Sequence, residues 1–478
     1  MILPENIKNI LGKLEKNGFE AYVVGGCVRD ILLDKKPKDW DITTSAKPKE
    51  IQKIFTDSFY ENNFGTVTVK TKSPEISQKQ IEITTYRKEK GYQDKRHPDS
   101  VSFTSNLKED LSRRDFTVNA IAMDKNENLI DPFKGKKDID SKIIKTVGKP
   151  KERFTEDALR MIRAIRLTTE LDFEIEKETF NSIQKNALWI QAVAKERIRD
   201  EFIKMIMSYR PEKAIEMLYK SGLLEYIIPE LSKGAGVSQN KHHIYTIYEH
   251  LVLALKFAAQ RKYSLEVRLA ALFHDIAKPQ TKEGEGPEST FYNHDIVGTK
   301  FAIKILQRLK FPKKTIEKVA LLIKNHMFVY DVEEVTEAGV RRLLRRVGKE
   351  NIQDLINLRI ADRLGSGVPK AVPYKLRHLQ YLIEKVSKDP ISTKMLKIDG
   401  NDAMEILKIK PGPKIGLLME ALLAEVLENP KLNQKKELTK RLKELNRLSD
   451  KELKQKTKVV KEKKEEVDKQ LKGKYWVK

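Results

Sequence analysis

Cysteine is almost absent: Cys27 is the only one in 478 residues. That excludes an intramolecular disulfide and any cysteine-rich metal site. Long apolar runs are missing as well, and no stretch approaches the roughly 20 uninterrupted apolar residues needed to span a bilayer. The opening MILPENIKNILGKLEKNGFE carries charges throughout and lacks the apolar segment and cleavage site of a secretory signal. With a mean hydropathy of −0.54, these absences predict a soluble cytoplasmic protein with no membrane partner. Histidine is scarce too, at eight residues, so an ordered series of histidines carries information.

Positive charge is abundant. There are 93 basic residues against 69 acidic ones, a net charge of +24 and a pI near 9.6. Such an excess favours a polyanionic partner, because basic groups near phosphates release condensed counterions on binding. From Lys431 onward eighteen residues are basic and eight acidic. Two readings of this tail stand side by side: a solvated, partly disordered charged helix, or an RNA-binding segment.

Along the chain the periodicity changes once. In the first 145 or so residues AYVVGG reads as a buried strand entering a turn, and FGTVTVK and QIEITTYR alternate with the period of strands. KPKEIQKIF between them reads as a helix. After Gly148 helical periodicity takes over, with a helix in ERFTEDALRMIRAIRL expected to open near Thr155. Linkers are expected at Ser232–Asn240, Lys282–Glu288, Pro369–Pro373 and Lys408–Lys414. There is no internal repeat.

The segment VVGGCVRDILLDKKPKDWDITT carries the most chemistry. Gly25 and Gly26 follow a strand and precede a helix-like stretch, an arrangement that lets backbone N–H groups approach a triphosphate. Asp39 and Asp41, two apart on an extended segment, point the same way and would lie about 6.5 Å apart by strand rise. Two such carboxylates suit Mg²⁺ ions that activate a hydroxyl and steady a departing pyrophosphate. Glu82 in QIEITTYR either adds a third carboxylate from a neighbouring strand or is an ordinary outward strand position. Further on, Arg113 and Arg114 suit phosphate or ribose oxygens, and Asp115 and Asn119 suit polar contacts near a sugar. Asp157 and Arg160, three apart, are expected to share a helix face. They are either an ion pair or an acceptor and a donor facing a base edge. Arg163 is expected to contact triphosphate or support that pair.

GGCVRD followed by DWDITT resembles the nucleotidyltransferase superfamily, and more narrowly the bacterial class II tRNA nucleotidyltransferases and their poly(A) polymerase relatives. SRRDFTVNAIA, DPFKGKKDI, FTEDALRMIRAIR and AKERIRDEF follow in family order over the first 200 residues. The resemblance implies an α+β fold: a mixed-sheet head followed by an all-α neck, an HD-like body and a tail. It implies catalytic, Mg²⁺-binding Asp39 and Asp41. It also implies nucleotide contacts from Gly25, Gly26, Arg29, Arg113, Arg114, Asp115, Asn119, Asp157, Arg160 and Arg163. The implied reaction is template-independent addition of CCA, or its terminal A, to tRNA from CTP and ATP. A poly(A) polymerase or A-adding enzyme of the same family is the alternative. YRKEKGYQDKRHP, residues 86–98, resembles the flexible loop of CCA-adding members and argues against a CC-only enzyme.

Four histidines form a series with two aspartates: His250, His274–Asp275, His294, His326 and Asp362. Imidazoles with carboxylates suit transition metals, and a shared aspartate can bridge two ions. The series resembles the HD phosphohydrolase superfamily, which implies an accessory hydrolase site; a metal-dependent phosphohydrolase with an RNA-binding head is the alternative of another class. His97, His242, His243 and His378 fall outside the pattern. The expected organisation is a catalytic head at 1–145, a neck at 146–235 that binds base and tRNA, an HD-like domain at 240–370, a helical tail domain at 371–445 and a basic extension at 446–478.

Overall fold

Alternation in the N-terminal strands builds a mixed sheet. A computed structural model describes residues 3–60, 65–90, 100–240, 244–368, 371–388, 393 and 396–477. In the head, β1 (Ala21–Val24), β2 (Asp41–Thr44), β3 (Ser58–Tyr60), β4 (Thr66–Lys70) and β5 (Gln80–Thr85) are joined by short strands at Ala122–Met123 and Leu129–Ile130. Their order is β3-β4-β5-β2-β1, then the two short strands. β2 pairs parallel with β5 and antiparallel with β1. Val23, Ile42, Val67, Ile81 and Ile83 are buried, whereas Glu82 between the last two is exposed, as a strand period of two requires. Helix α1 (Glu5–Lys16) covers the head core with Ile7, Ile10, Leu11 and Leu14. The helix read in KPKEIQKIF forms over Pro48–Ile54.

From Pro150 the described residues are mostly helical; Glu174–Ile175 pairs parallel with Ile143–Ile144, and Glu283 and Thr290 form an isolated antiparallel bridge. The helix expected to open near Thr155 is in fact two. Pro150–Glu156 ends before Asp157, whose extended backbone and carboxylate precede Leu159–Leu171. Asp157 Oδ1 accepts from Leu159 N at 3.0 Å. A short acidic side chain that satisfies a helix-start N–H competes with continuing the helix through its own position.

The chain divides into two compact units, Met1–His326 with Asn357–Pro369, and Met327–Ile356 with Lys370–Lys478. Residues 327–356 therefore group with the C-terminal helices rather than with the other helices of the 240–370 segment. The charged tail is not an appendage in this unit. Residues Asp450–Tyr475 form one helix, opened by a Ser449–Glu452 capping box. Leu453 and Val460 enter the same core as Leu418, Leu422, Leu438 and Leu442.

Leu453→Ala is expected to destabilise this unit by about 2–5 kcal/mol through lost burial and the cavity left behind. Lys454→Ala, at an exposed position, should stay within about 0.5 kcal/mol of wild type. Unfolding midpoints and amide exchange across residues 435–475 of the full chain compare the two; equal effects would remove the tail helix from the core.

Candidate active site and metal centre

The head site is built where β1 turns into helix α2 (Gly26–Leu32). Gly25 has φ +85°, and a Cβ there would meet Arg114 Nη1 at 2.7 Å and Asp41 Oδ2 at 3.5 Å. A side chain would thus be strained by backbone conformation and would collide with the site. Asp41 opens β2, and Asp39 lies in the exposed bend before it, so only one of the pair is on the strand itself. Buried Trp40 between them leaves both carboxylates turned from the core. Glu82 is the register partner of Asp41 on β5. Burial, opposed by Arg114 and reinforced by Asp39 and Glu82, pushes the Asp41 carboxyl up to about 6. A partly desolvated carboxylate with two acidic neighbours is under-neutralised by one arginine. This is an all-oxygen donor set of the kind Mg²⁺ prefers.

The ribose-motif residues lock together behind it. Arg29 donates to Asp30 and, through Nη1, to Asn119 Oδ1 at 2.7 Å. Asn119 donates to Asp115 Oδ1 at 3.1 Å, and Arg163 Nε donates to Asp115 Oδ2 at 2.9 Å. Burial alone would raise Asp115, but the Arg163 and Arg160 guanidiniums hold it well below the usual carboxylate range. Arg113 donates to buried Asp110, which also accepts from Thr43 on β2.

Asp157 and Arg160 do not pair with each other. Arg197 grips Asp157 through both carboxylate oxygens, at 2.7 and 3.3 Å. Arg160 binds Glu156 at 2.7 Å and the Arg113 carbonyl at 2.9 Å. The helix break at Asp157 puts the two on different elements, which is why the expected shared face does not form. The sequence reading passed over Arg197, Glu156 and Glu201 as site residues. Glu201, buried in the Lys195–Met207 helix, forms an ion pair with Arg166 at 2.8 Å and approaches Arg163 at 3.7 Å. Its signal was a carboxylate on the inward face of AKERIRDEF, four residues after Arg197.

The six HD-series residues converge completely. His250 lies in the Ile247–Gln260 helix; His274 and His326 cap the ends of Leu265–Phe273 and Lys313–Asn325; His294 opens His294–Arg308. Asp362 comes from Ile352–Gly365. All six are buried. His250, His274 and Asp275 form one potential ligand group, and Asp275, His294 and His326 another. His294 and His326 each turn Nδ1 to a backbone carbonyl, of Phe291 and Ile323, at 2.7 Å. A carbonyl only accepts, so Nδ1 carries the proton and each Nε2 keeps its lone pair. Those two Nε2 atoms face each other at 3.3 Å. With Nδ1 on a carbonyl, Nε2 is the ring nitrogen left to ligate, and imidazoles around a shared carboxylate fit a metal ion. Burial lowers His294. Burial opposes ionisation of Asp275 as well, but Lys278 and His274 hold it well below its usual value. His378 is in the second unit, stacked with Tyr374; His97, His242, His243 and residues 91–98 of the expected loop lie outside the described residues.

A strand-turn-helix bearing three acidic side chains, backed by an arginine-rich helical neck, defines a nucleotidyltransferase head. Family profiles agree: a poly A polymerase head domain matches residues 21–145, a probable RNA and SrmB-binding site of polymerase A matches 172–234, and an HD domain matches 247–366. The CCA-adding enzyme of Ligilactobacillus salivarius (strain UCC118) is 34% identical over 451 residues, 93% of this chain and 98% of its own. That of Listeria innocua is 47% identical over 220 residues, 46% of this chain and 54% of its own. The crystal structure of the Bacillus stearothermophilus CCA-adding enzyme in complex with CTP matches with TM-score 0.60 and 28% identity, covering 93% of this chain and 98% of that one. The chain belongs to the CCA-adding enzymes, and is an RNA nucleotidyltransferase.

The raised Asp41 value has a measurable sign. A carboxyl whose folded pKa of about 6 exceeds its unfolded value near 3.8 costs stability fully above pH 6, and progressively less as pH falls toward 4. At about 1.4 kcal/mol per unit, the cost approaches roughly 3 kcal/mol. With chelator present, Asp41→Asn should therefore raise the unfolding midpoint at pH 8, and the gain should vanish below about pH 4. A gain that grows on acidification would contradict the desolvated site.

Proposed function

We propose that this chain builds or repairs the 3′ end of tRNA, adding CCA from CTP and ATP without a nucleic-acid template. The observation that carries the reading is the pairing of Asp41 with Glu82 on adjacent strands, beside Gly25 and Arg114, with Asp39 in the bend just before. Family membership and the relative solved with CTP support it. Asp39 and Asp41, with Glu82 adjacent, would hold Mg²⁺, which when bound would acidify the attacking 3′ hydroxyl and neutralise charge on the leaving pyrophosphate. Arg114, beside Gly25 and Asp41, is suited to triphosphate oxygens. Asp115 and Asn119 serve the ribose, with Arg29 and Arg163 fixing their orientation. Asp157 and Arg160 meet the base edge, one as acceptor and one as donor, and Arg197 and Glu156 hold them until a nucleotide competes. In this scheme residues 1–145 catalyse, 146–235 read the base and grip tRNA, and the phosphate backbone and shape of the tRNA dominate its recognition. Addition of A alone, or of poly(A), is the rival within the family.

A second reading rests on the six-residue convergence around Asp275. His250, His274, Asp275, His294, His326 and Asp362 would bind a transition-metal pair. When bound, the metals would supply a nucleophilic water for phosphoester hydrolysis. Buried Lys278, 2.6 Å from Asp275, keeps that carboxylate ionised.

Incubating the protein with tRNA lacking its 3′ CCA, plus CTP, ATP or both, and sequencing the added ends tests the first reading. CCA with both nucleotides, and CC with CTP alone, is the expected outcome; A from ATP alone on the bare end would select the rival. Asp39→Ala and Asp41→Ala should each cut incorporation of both nucleotides by about 10²–10³-fold or more while sparing tRNA binding. Near-normal incorporation by both would remove them from the chemistry.

For the second reading, His274→Ala with Asp275→Ala should strip transition metal from the purified protein and abolish phosphodiesterase activity, leaving nucleotide incorporation intact. Wild-type protein that takes up no transition metal would reduce the cluster to a structural relic.

A further inference from the structure

The Glu337–Val347 helix of the second unit has two opposite faces. Val340, Leu343, Leu344 and Val347 are buried, while Arg341, Arg342, Arg345 and Arg346 are exposed. Arg341 pairs with Glu337 at 3.0 Å. Arg342, Arg345 and Arg346 have no carboxylate partner among the described residues. Four residues of α-helix advance about 6 Å, so Arg342 and Arg346 lie one above the other with Arg345 on the same face. Like charges at this spacing repel and weaken a helix; the buried leucines and valines nevertheless fix this face outward. An uncompensated cationic stripe held in place by packing fits an external polyanion.

The last long helix of this unit, also basic, differs in both residue type and pairing. Asp450–Tyr475 is basic through lysine alone. Several of those lysines already meet acids of the unit, Lys456 with Glu425 at 3.5 Å, Lys472 with Asp468 at 3.5 Å and Lys474 with Glu384 at 2.6 Å. The arginine helix carries planar, forked donors that match phosphate oxygens two at a time, which ammonium groups do not. Residue type and missing partners thus coincide on one face.

We propose that Arg342, Arg345 and Arg346 form a contact for the RNA backbone, in which guanidinium groups on one helix face bind neighbouring phosphates of the RNA substrate. The proposal rests on the reading that the substrate is RNA. It assigns the electrostatic grip to this face rather than to the lysine helix. The bond made is a charge-assisted hydrogen bond to backbone oxygens, so it carries no sequence preference.

The test uses the full chain and a tRNA transcript lacking its 3′ CCA, with binding measured over a salt series. The combined Arg342→Ala, Arg345→Ala and Arg346→Ala protein should bind about tenfold or more weakly at low salt. The slope of log affinity against log salt should shrink by about 0.7–0.9 per lost contact. Incorporation at saturating RNA should be unchanged, because no proposed nucleotide-site residue is altered. The corresponding triple lysine protein should keep most of the slope while recovering only part of the affinity. An alanine protein with wild-type affinity and slope overturns the proposal, and so does a lysine protein as weak as the alanine one. If the alanine protein melts early, Arg345→Glu alone carries the same salt test. Wild type that binds RNA without extending it defeats the activity reading and leaves this one standing. Wild type that extends RNA, with the alanine slope unchanged, defeats this one alone.

Discussion

The ion pair between buried Asp115 and half-buried Arg163 is the constraint on which the head site depends. It joins the segment behind the head sheet to the Leu159–Leu171 helix. Asp115 has spent its oxygens on Arg163, Asn119 and the Phe116 N–H, so it is pinned rather than free to swing. Asn119, thus oriented, holds Arg29 of helix α2. Glu201 closes the chain from the neck by approaching Arg163 and Arg166. Breaking one partner of a desolvated pair leaves the other charge buried, which costs far more than the pair contributes. The Gly25–Gly26 turn, the Asp115–Asn119 segment and the Leu159–Leu171 helix are therefore tied into one network.

The two candidate metal centres are built on opposite principles. The head uses hard oxygen donors on a strand and the bend before it; burial, with smaller contributions from Asp39 and Glu82, pushes Asp41 up to about 6. An oxygen-only donor set suits an ion that retains water and meets phosphate. The HD centre buries four imidazoles and two carboxylates on helices, with backbone carbonyls setting the proton positions of His294 and His326. Nitrogen donors with fixed tautomers suit a transition metal that stays with the protein. One chain thus carries two donor sets of different softness.

The charge surplus divides by chemistry rather than by density. Lysines on the last long helix coexist with apolar residues that enter the core and with acids that neutralise part of their charge. The long aliphatic stems of such residues cover apolar surface while their ammonium groups remain in water. That is why a segment rich enough in lysine to read as disordered forms a continuous helix.

Much of the head was legible in residue order. Strand alternation in AYVVGG, FGTVTVK and QIEITTYR gave way to strands at the expected places, because a half-buried strand must alternate. Glycine 25 could be read as a turn, and its positive φ bears that out. The histidine series was legible because eight histidines in 478 residues leave few accidental runs. Other features were beyond reach of local pattern. The helix break at Asp157 depends on a side chain capping Leu159, and the grip of Arg197 on Asp157 spans forty residues. The packing of the tail depends on partners as distant as Leu418 and Leu422. The sequence by itself determined which residue types were present for nucleotidyl transfer and metal binding, since those follow from motif and spacing. Only the tertiary structure decided which charges neutralise one another and which remain available, because ion pairing depends on distances between elements that local sequence does not encode.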